Sequence, residues 1–188
     1  MLVGKAKAGD KSAIASIVAN ESGRIFNLGL KLMQNVEDAE DILQETFLIF
    51  INKISTFKEN SSIGTWLYRI ATNVALGKLR AKELINKDIS IHDTDFESLK
   101  GYEIRNWPHE PEKEMDADAF QDCLQMAMKT LPDDYRIVFV LRDLEGMSTK
   151  ETARLLNISE SNVKIRLMRG RLILRDQLAI KLKCVERK

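Results

Sequence analysis

Ser148-Thr-Lys-Glu-Thr-Ala-Arg-Leu-Leu-Asn-Ile-Ser-Glu-Ser-Asn-Val-Lys-Ile-Arg-Leu-Met-Arg-Gly-Arg-Leu-Ile-Leu-Arg175 is the stretch that decides the fold. Ser148 and Glu151 have capping-box spacing, so a helix should open there. Asn157 tolerates a left-handed turn and should break that helix. Ser159 should cap another that runs to about Gln177. Two helices joined by so short a turn make a helix-turn-helix. Ala153 is small enough for a close crossing, and Leu156, Ile158, Val163 and Leu167 have core spacing, continued by Gly170. The outer face of the last helix carries Ser161, Asn162, Ile165, Met168 and Arg169, flanked by Lys164 and Arg166. Such a helix suits a DNA major groove: Asn and Arg read base edges and flanking cations neutralise phosphates. The plainer alternative is a helical hairpin with a solvated basic face.

Upstream of this stretch the pattern remains helical. A helix over 114–130 passes through Phe120, Leu124 and Met128. Pro132 is expected at the first position of the next helix, with Asp133 and Asp134 in its first turn and Gly146 at its end. In the first half, Asp10 should cap a helix through Ile14, Ile17 and Val18, and more helical sequence leads from Ile25 to Met33. Ala39, Ile42, Leu43, Phe47, Phe50, Ile51 and Ile54 then recur at helical steps and predict one buried face. Asp38, Asp41, Glu45, Leu48 and Asn52 lie opposite. A polar loop follows from Phe57 to Gly64, and a further helix starts near Thr65 and runs to about Lys82. On it, Trp66, Arg69, Asn73, Gly77 and Arg80 share one face, and Leu67, Ile70, Ala71 and Val74 the other. Alternating strand patterns are absent, so the expected class is all-α: two small helical domains joined by a flexible acidic linker.

The charge distribution says more than its sum. Lys plus Arg number 29 and Asp plus Glu 28, for a formal net charge of +1, which points to no partner. The signs are grouped in blocks, however. Five acids and no base lie between Glu37 and Glu45, and seven bases against two acids between Lys53 and Lys87. Ten acids against three bases follow from Asp88 to Asp118, and five bases against one acid from Glu160 to Arg175. Basic blocks suit a phosphate backbone. Acids beside Leu48 suit a basic protein surface, although a solvated helix face is the commoner reason for such a run. A Trp with Arg and Asn on one face can stack on and hydrogen-bond an unpaired base, with Lys78, Arg80 and Lys82 holding the backbone.

Cys123 and Cys184 are too far apart for a zinc site or a disulfide framework, and read as one core thiol and one tail thiol. His92 and His109 lie in a polar stretch away from both. No catalytic triad, phosphate-binding glycine loop or metal cluster is apparent, so no enzyme activity, metal or cofactor is expected. The N-terminal residues lack an apolar signal core and no run reaches membrane-spanning length. A cytoplasmic protein with no membrane insertion of its own is expected.

Two motifs carry a family resemblance. Leu131-Pro-Asp-Asp-Tyr-Arg-Ile-Val-Phe-Val-Leu-Arg-Asp-Leu-Glu-Gly146, then Thr149-Lys-Glu-Thr-Ala-Arg-Leu-Leu-Asn-Ile-Ser159 and Asn162-Val-Lys-Ile-Arg-Leu-Met-Arg-Gly-Arg171, resembles region 4 of the sigma-70 family, nearest the extracytoplasmic-function (ECF) group. Asn157 stands where Gly is usual and Gly170 where Ala is usual. Asp38-Ala-Glu-Asp-Ile-Leu-Gln-Glu-Thr-Phe47 resembles region 2.2. Phe57 through Trp66-Leu-Tyr-Arg-Ile-Ala-Thr-Asn73 resembles the promoter-opening segment that follows it.

The resemblance implies a transcription initiation factor that binds core RNA polymerase, directs it to promoter DNA and helps open the strands. It implies region 2 over residues 1–83, a linker over 84–113 that threads toward the polymerase channel, and region 4 over 114–188. Asp38, Asp41, Ile42, Gln44, Glu45 and Leu48 would meet the polymerase clamp. Lys58, Ser61, Ser62, Trp66, Arg69, Asn73, Lys78 and Arg80 would take the minus-ten element, with a flipped base at the loop. Ser161, Asn162, Lys164, Ile165, Arg166, Met168 and Arg169 would take the minus-thirty-five element. An anti-sigma factor is a further implied partner. Two other readings remain open: a stand-alone helix-turn-helix regulator, and a helical adaptor that binds protein through the acidic helix.

Overall fold

The computed structural model describes the backbone of residues 2–85 and 117–185, and side chains over 2–81 and 122–179. Every regular element among these residues is helical. The chain divides into two compact units with the break after Lys82. The expected linker falls mostly outside the described residues, as do His92, His109 and the side chains of Phe120 and Cys184.

The first unit starts with α1 (Leu2–Lys7) and turns at Gly9, whose φ of 88° suits a residue without Cβ. Asp10 then caps α2 (Lys11–Met33), its carboxylate accepting from the Ser12 and Ala13 amides at 2.9 and 3.2 Å. The sequence pattern suggested two helical segments here; the structure has one. Asn20, Ser22 and Gly23 lower helix propensity without breaking it, and burial of Ile17, Ile25, Leu28 and Leu32 carries the helix through. It ends at Gln34, in the left-handed conformation with φ 54°. Asn35 caps α3 (Val36–Lys53) by accepting from the Asp38 amide at 3.0 Å. The crossing of α2 and α3 is close: a Cβ on Gly29 would stand 3.0 Å from the Ala39 Cα.

The inner face of α3 holds Ala39, Ile42, Thr46, Phe47 and Phe50. Ile51, expected in the core, is 48% exposed, and Leu43 is half-buried. After Phe50 the chain tightens into a 3-10 turn (Ile54–Thr56); Ile54 is buried as expected, and Phe57 joins it in the core. α4 (Ile63–Ile85) begins two residues before the expected start and runs beyond Lys82. Its start is capped by Ser62, whose Oγ accepts from the Thr65 amide at 3.1 Å. Leu67, Tyr68, Ala71, Thr72, Ala75 and Leu79 face the core, and the Arg24 guanidinium of α2 lies 4.9 Å from the Tyr68 ring centroid.

The second unit contains α5 (Ala117–Met128), α6 (Asp133–Phe139), α7 (Thr149–Leu156) and α8 (Glu160–Val185). Pro132 is the residue before α6, one position earlier than expected. Its ring fixes φ while its carbonyl accepts the first turn's amides from Tyr135 and Arg136. α6 continues as a π turn (Val140–Leu144) in which the Glu145 amide donates to the Val140 carbonyl, and the chain reverses at Gly146, φ 68°. α8 packs on α5 and α6, and the core runs through Cys123, Ala127, Leu131, Val138, Leu141, Val163, Leu167 and Leu174. The Cys123 thiol is buried there, as expected.

Candidate nucleic-acid and protein interfaces

The α3 surface is built by helical phase. Asp41, Gln44 and Glu45 are exposed, Asp38 is partly so, and Leu48 is 62% exposed. Ile42, named for this surface, is fully buried: it lies three residues after Ala39 on the inner stripe and cannot touch a partner. Ile51 extends the outer apolar area beside Leu48, a position that periodicity had placed inside. Asp41 is not free-standing, because Lys78 of α4 donates to it at 3.0 Å. The first unit therefore joins one residue expected to face protein to another expected to face DNA.

The loop after α3 leads into a polar stripe on α4. Lys58 and Ser62 are exposed and Ser61 is half-buried; Ser62 spends its hydroxyl on the cap and on Thr65. Arg69, Asn73, Gly77 and Arg80 are all exposed at helical steps. Trp66, at the head of this stripe, is half-buried, with its ring 4.9 Å from Phe57 and edge-on to Phe50 at 6.4 Å. It wedges the helix start against the core and leaves part of the indole outside. The loop itself is held by Lys7 of α1, which donates to the Phe57 carbonyl at 3.0 Å and to Glu59 at 2.9 Å. Sequence spacing gave no sign of that contact.

The helix-turn-helix forms from local hydrogen bonds. The Ser148 amide donates to the Glu151 carboxylate at 3.0 Å while the Glu151 amide donates to Ser148 Oγ at 3.2 Å. Thr152 and Ala153 face inward, Asn157 takes φ 57°, and Ser159 Oγ accepts from the Asn162 amide at 3.1 Å. Gly170 lets α6 approach: a Cβ there would meet the Tyr135 carbonyl oxygen at 3.4 Å.

On α8, Ser161 and Lys164 are exposed, and Asn162, Ile165 and Met168 are half-buried. The arginines are engaged inside the unit. Arg166 pairs with Asp134 at 3.0 Å, and Arg169 donates to the Tyr135 hydroxyl at 3.1 Å with its Nε buried. Arg171 grips Asp143 through two bonds of 2.7 Å. That hydrogen bonding, helped by the Asp143 charge, holds the Arg171 guanidinium above its ordinary pKa despite some desolvation. Lys150 and Arg154, exposed on α7, add cations that the sequence reading had not singled out. Among the described residues no His, Cys, Asp and Glu cluster is suited to a metal ion, and no helix is long and apolar enough to cross a membrane.

Comparison with known proteins gives matches over both units. The family model of sigma-70 region 2 matches residues 17–84, and that of sigma-70 region 4 matches residues 121–174. The chain is 35% identical to the ECF RNA polymerase sigma factor SigW of Bacillus subtilis, over 92% of each chain. It is 29% identical to the RNA polymerase sigma-H factor of Pseudomonas aeruginosa, over 90% of this chain and 88% of that one. Its fold is similar to that of the sigma factor RpoE from Bartonella quintana, solved with the anti-sigma factor NepR. That likeness has a TM-score of 0.56 and 20% identity, and covers 88% of this chain and 96% of that one.

Proposed function

Because this chain belongs to the sigma-70 family, in its ECF group of RNA polymerase sigma factors, we propose a division of labour among its surfaces. Residues 1–83 act as region 2, 84–113 as the linker and 114–188 as region 4. The outer face of α3, through Asp38, Asp41, Gln44, Glu45, Leu48 and Ile51, binds core polymerase. Lys58, Ser61, Ser62, Trp66, Arg69, Asn73 and Arg80 take the minus-ten element, with Lys78 joining once it leaves Asp41. Ser161, Asn162, Lys164, Ile165 and Met168 read the minus-thirty-five element, while Arg166 and Arg169 first hold α8 on α6. The protein acts by binding in the cytoplasm and performs no bond chemistry of its own. An anti-sigma factor, the class of partner seen with the Bartonella quintana protein, is a third partner.

The observation that carries the opening role is the exposed Arg69, Asn73 and Arg80 stripe directly after a polar loop. Base capture there lowers the free energy of the open duplex. The two DNA-binding units are each small, and joining both to one polymerase raises their effective concentration and makes the pair selective. Run-off transcription by core polymerase with and without the protein tests the reading. Transcripts should start at a specific promoter only in its presence. Tight duplex binding without polymerase and no added transcript would favour a stand-alone regulator.

A further inference from the structure

The loop at 57–62 is tied from outside by the N-terminal helix. Lys7 is the last residue of α1, and its backbone lies in a closely bonded turn: the Gly9 amide donates to the Ala6 carbonyl and the Asp10 amide to the Lys5 carbonyl, each at 3.0 Å. Asp10 then caps α2, so the base of the Lys7 side chain is fixed between two helices. From there Nζ spans to the Phe57 carbonyl, in a partly buried contact, and to the Glu59 carboxylate, in an exposed one. Glu59 adopts φ 56°. A residue with a Cβ holds that left-handed conformation only where its surroundings enforce it. The Lys7 ammonium is such a restraint, since it grips the side chain of the strained residue and the carbonyl two positions before it. At the far end of the loop, Glu21 of α2 lies against α4: a Cβ on Gly64 would come within 2.7 Å of its carboxylate. A carboxylate at that first turn is favoured by the helix dipole.

We propose that Lys7 is a positioning residue for promoter opening. It holds the 57–62 loop over the start of α4, so that the loop and, farther along the helix, Asn73 engage successive parts of the same unpaired strand. This rests on the assignment of that loop and Asn73 to the minus-ten element. The side chains of Lys7 and Glu59 are 30% and 57% exposed, so their ion pair adds little to global stability. Its effect falls on where the loop rests.

The test compares Lys7→Met, which keeps most of the chain length without the charge, with Lys7→Arg, which keeps both charge and donors. Both are assembled into holoenzyme. Lys7→Met should leave the melting temperature and core affinity unchanged while permanganate reactivity on a fully paired promoter falls about three- to tenfold, the worth of one ordinary net hydrogen bond, since solvent screens this partly exposed contact. A promoter with its minus-ten segment already unpaired should reduce the deficit, and Lys7→Arg should restore most of it. In the free protein, amides of the 57–62 loop should exchange faster in Lys7→Met and at the normal rate in Lys7→Arg. Normal opening by Lys7→Met overturns the proposal. So does an opening loss matched by an equal loss of core affinity or of melting temperature. Asn73→Ala, run in parallel, separates the two layers. Defective opening by Asn73→Ala with normal opening by Lys7→Met overturns the Lys7 role alone, whereas normal opening by Asn73→Ala overturns the minus-ten assignment on which that role depends.

Discussion

Asp41 stands in two relationships, and reversing it separates them. Its carboxylate accepts from Lys78 of α4, with side-chain exposures of 60% for Asp41 and 27% for Lys78. A pair so exposed is worth about 0.2–1 kcal/mol. Asp41→Lys removes that attraction and places two ammonium groups in contact, adding a repulsion of about 1 kcal/mol at ~4 Å in water. The first unit should lose roughly 1–2 kcal/mol, and a domain of its size melts about 4–8 °C lower per kcal/mol. If the same carboxylate also meets polymerase, core affinity should fall about ten- to a hundredfold, or ~1.4–2.8 kcal/mol. The double reversal Asp41→Lys with Lys78→Asp restores the internal pair with opposite polarity. Thermal melting of the free protein should then return close to wild type, while core affinity, followed by fluorescence anisotropy, should stay low. Recovery of both together would refute the reasoning, because Asp41 would then act only inside its own unit.

Three further outcomes are expected. Gly29→Val should destabilise the protein by about 1–3 kcal/mol through overpacking against the Ala39 backbone, read as a lower urea midpoint with unchanged slope. Lys164→Ala should weaken all DNA sequences alike and reduce the salt slope by about 1, whereas Arg169→Ala should change discrimination by ~1–3 kcal/mol only if Arg169 leaves Tyr135 to reach a base edge. Equal, sequence-blind losses from both would show that base reading lies with Ser161, Asn162 or Met168. Asn73→Ala should spare core binding and minus-thirty-five recognition yet impair opening of a paired promoter, with heparin-resistant complexes counted beside permanganate footprints. Normal opening would return Asn73 to an ordinary surface role.

What the sequence made legible was what lies close along the chain. The caps at Asp10, Ser148 and Ser159, the break at Asn157 and the reversal at Gly146 each depend on hydrogen bonds or a dihedral within a few residues. The exposed stripe of α4 was legible because helical phase sorts Arg69, Asn73 and Arg80 away from Leu67 and Ala71 without reference to other elements. Contacts between distant positions were not. Arg169 meets Tyr135, 34 residues earlier, and Arg166 meets Asp134, on the same upstream helix, so two cations counted on or beside the outer face have partners within the unit. Lys7 meets Glu59 across 52 residues, which no local pattern encodes. Ile51 was misplaced for a related reason: periodicity extends a stripe to the end of a helix, and it placed Ile54 correctly, but it does not register that the chain after the 3-10 turn brings Phe57 into the core while Ile51 stays outside.

The π turn after α6 carries one residue more than an α-helix would need for the same climb. An α-helix advances about 100° per residue, so deleting one residue between Val140 and Leu144 would regularise the backbone and rotate everything after it by that angle. Asp143 and Arg142 would swing to a different side of the helix, away from Arg171 and from the Met147 carbonyl that Arg142 now donates to. The extra residue thus works as a phase setting: it fixes the angle at which the chain leaves α6, and so where the start of α7 is delivered. A length change here should be far more damaging than the same change at the exposed turn residue Gly146, because it alters heading rather than reach.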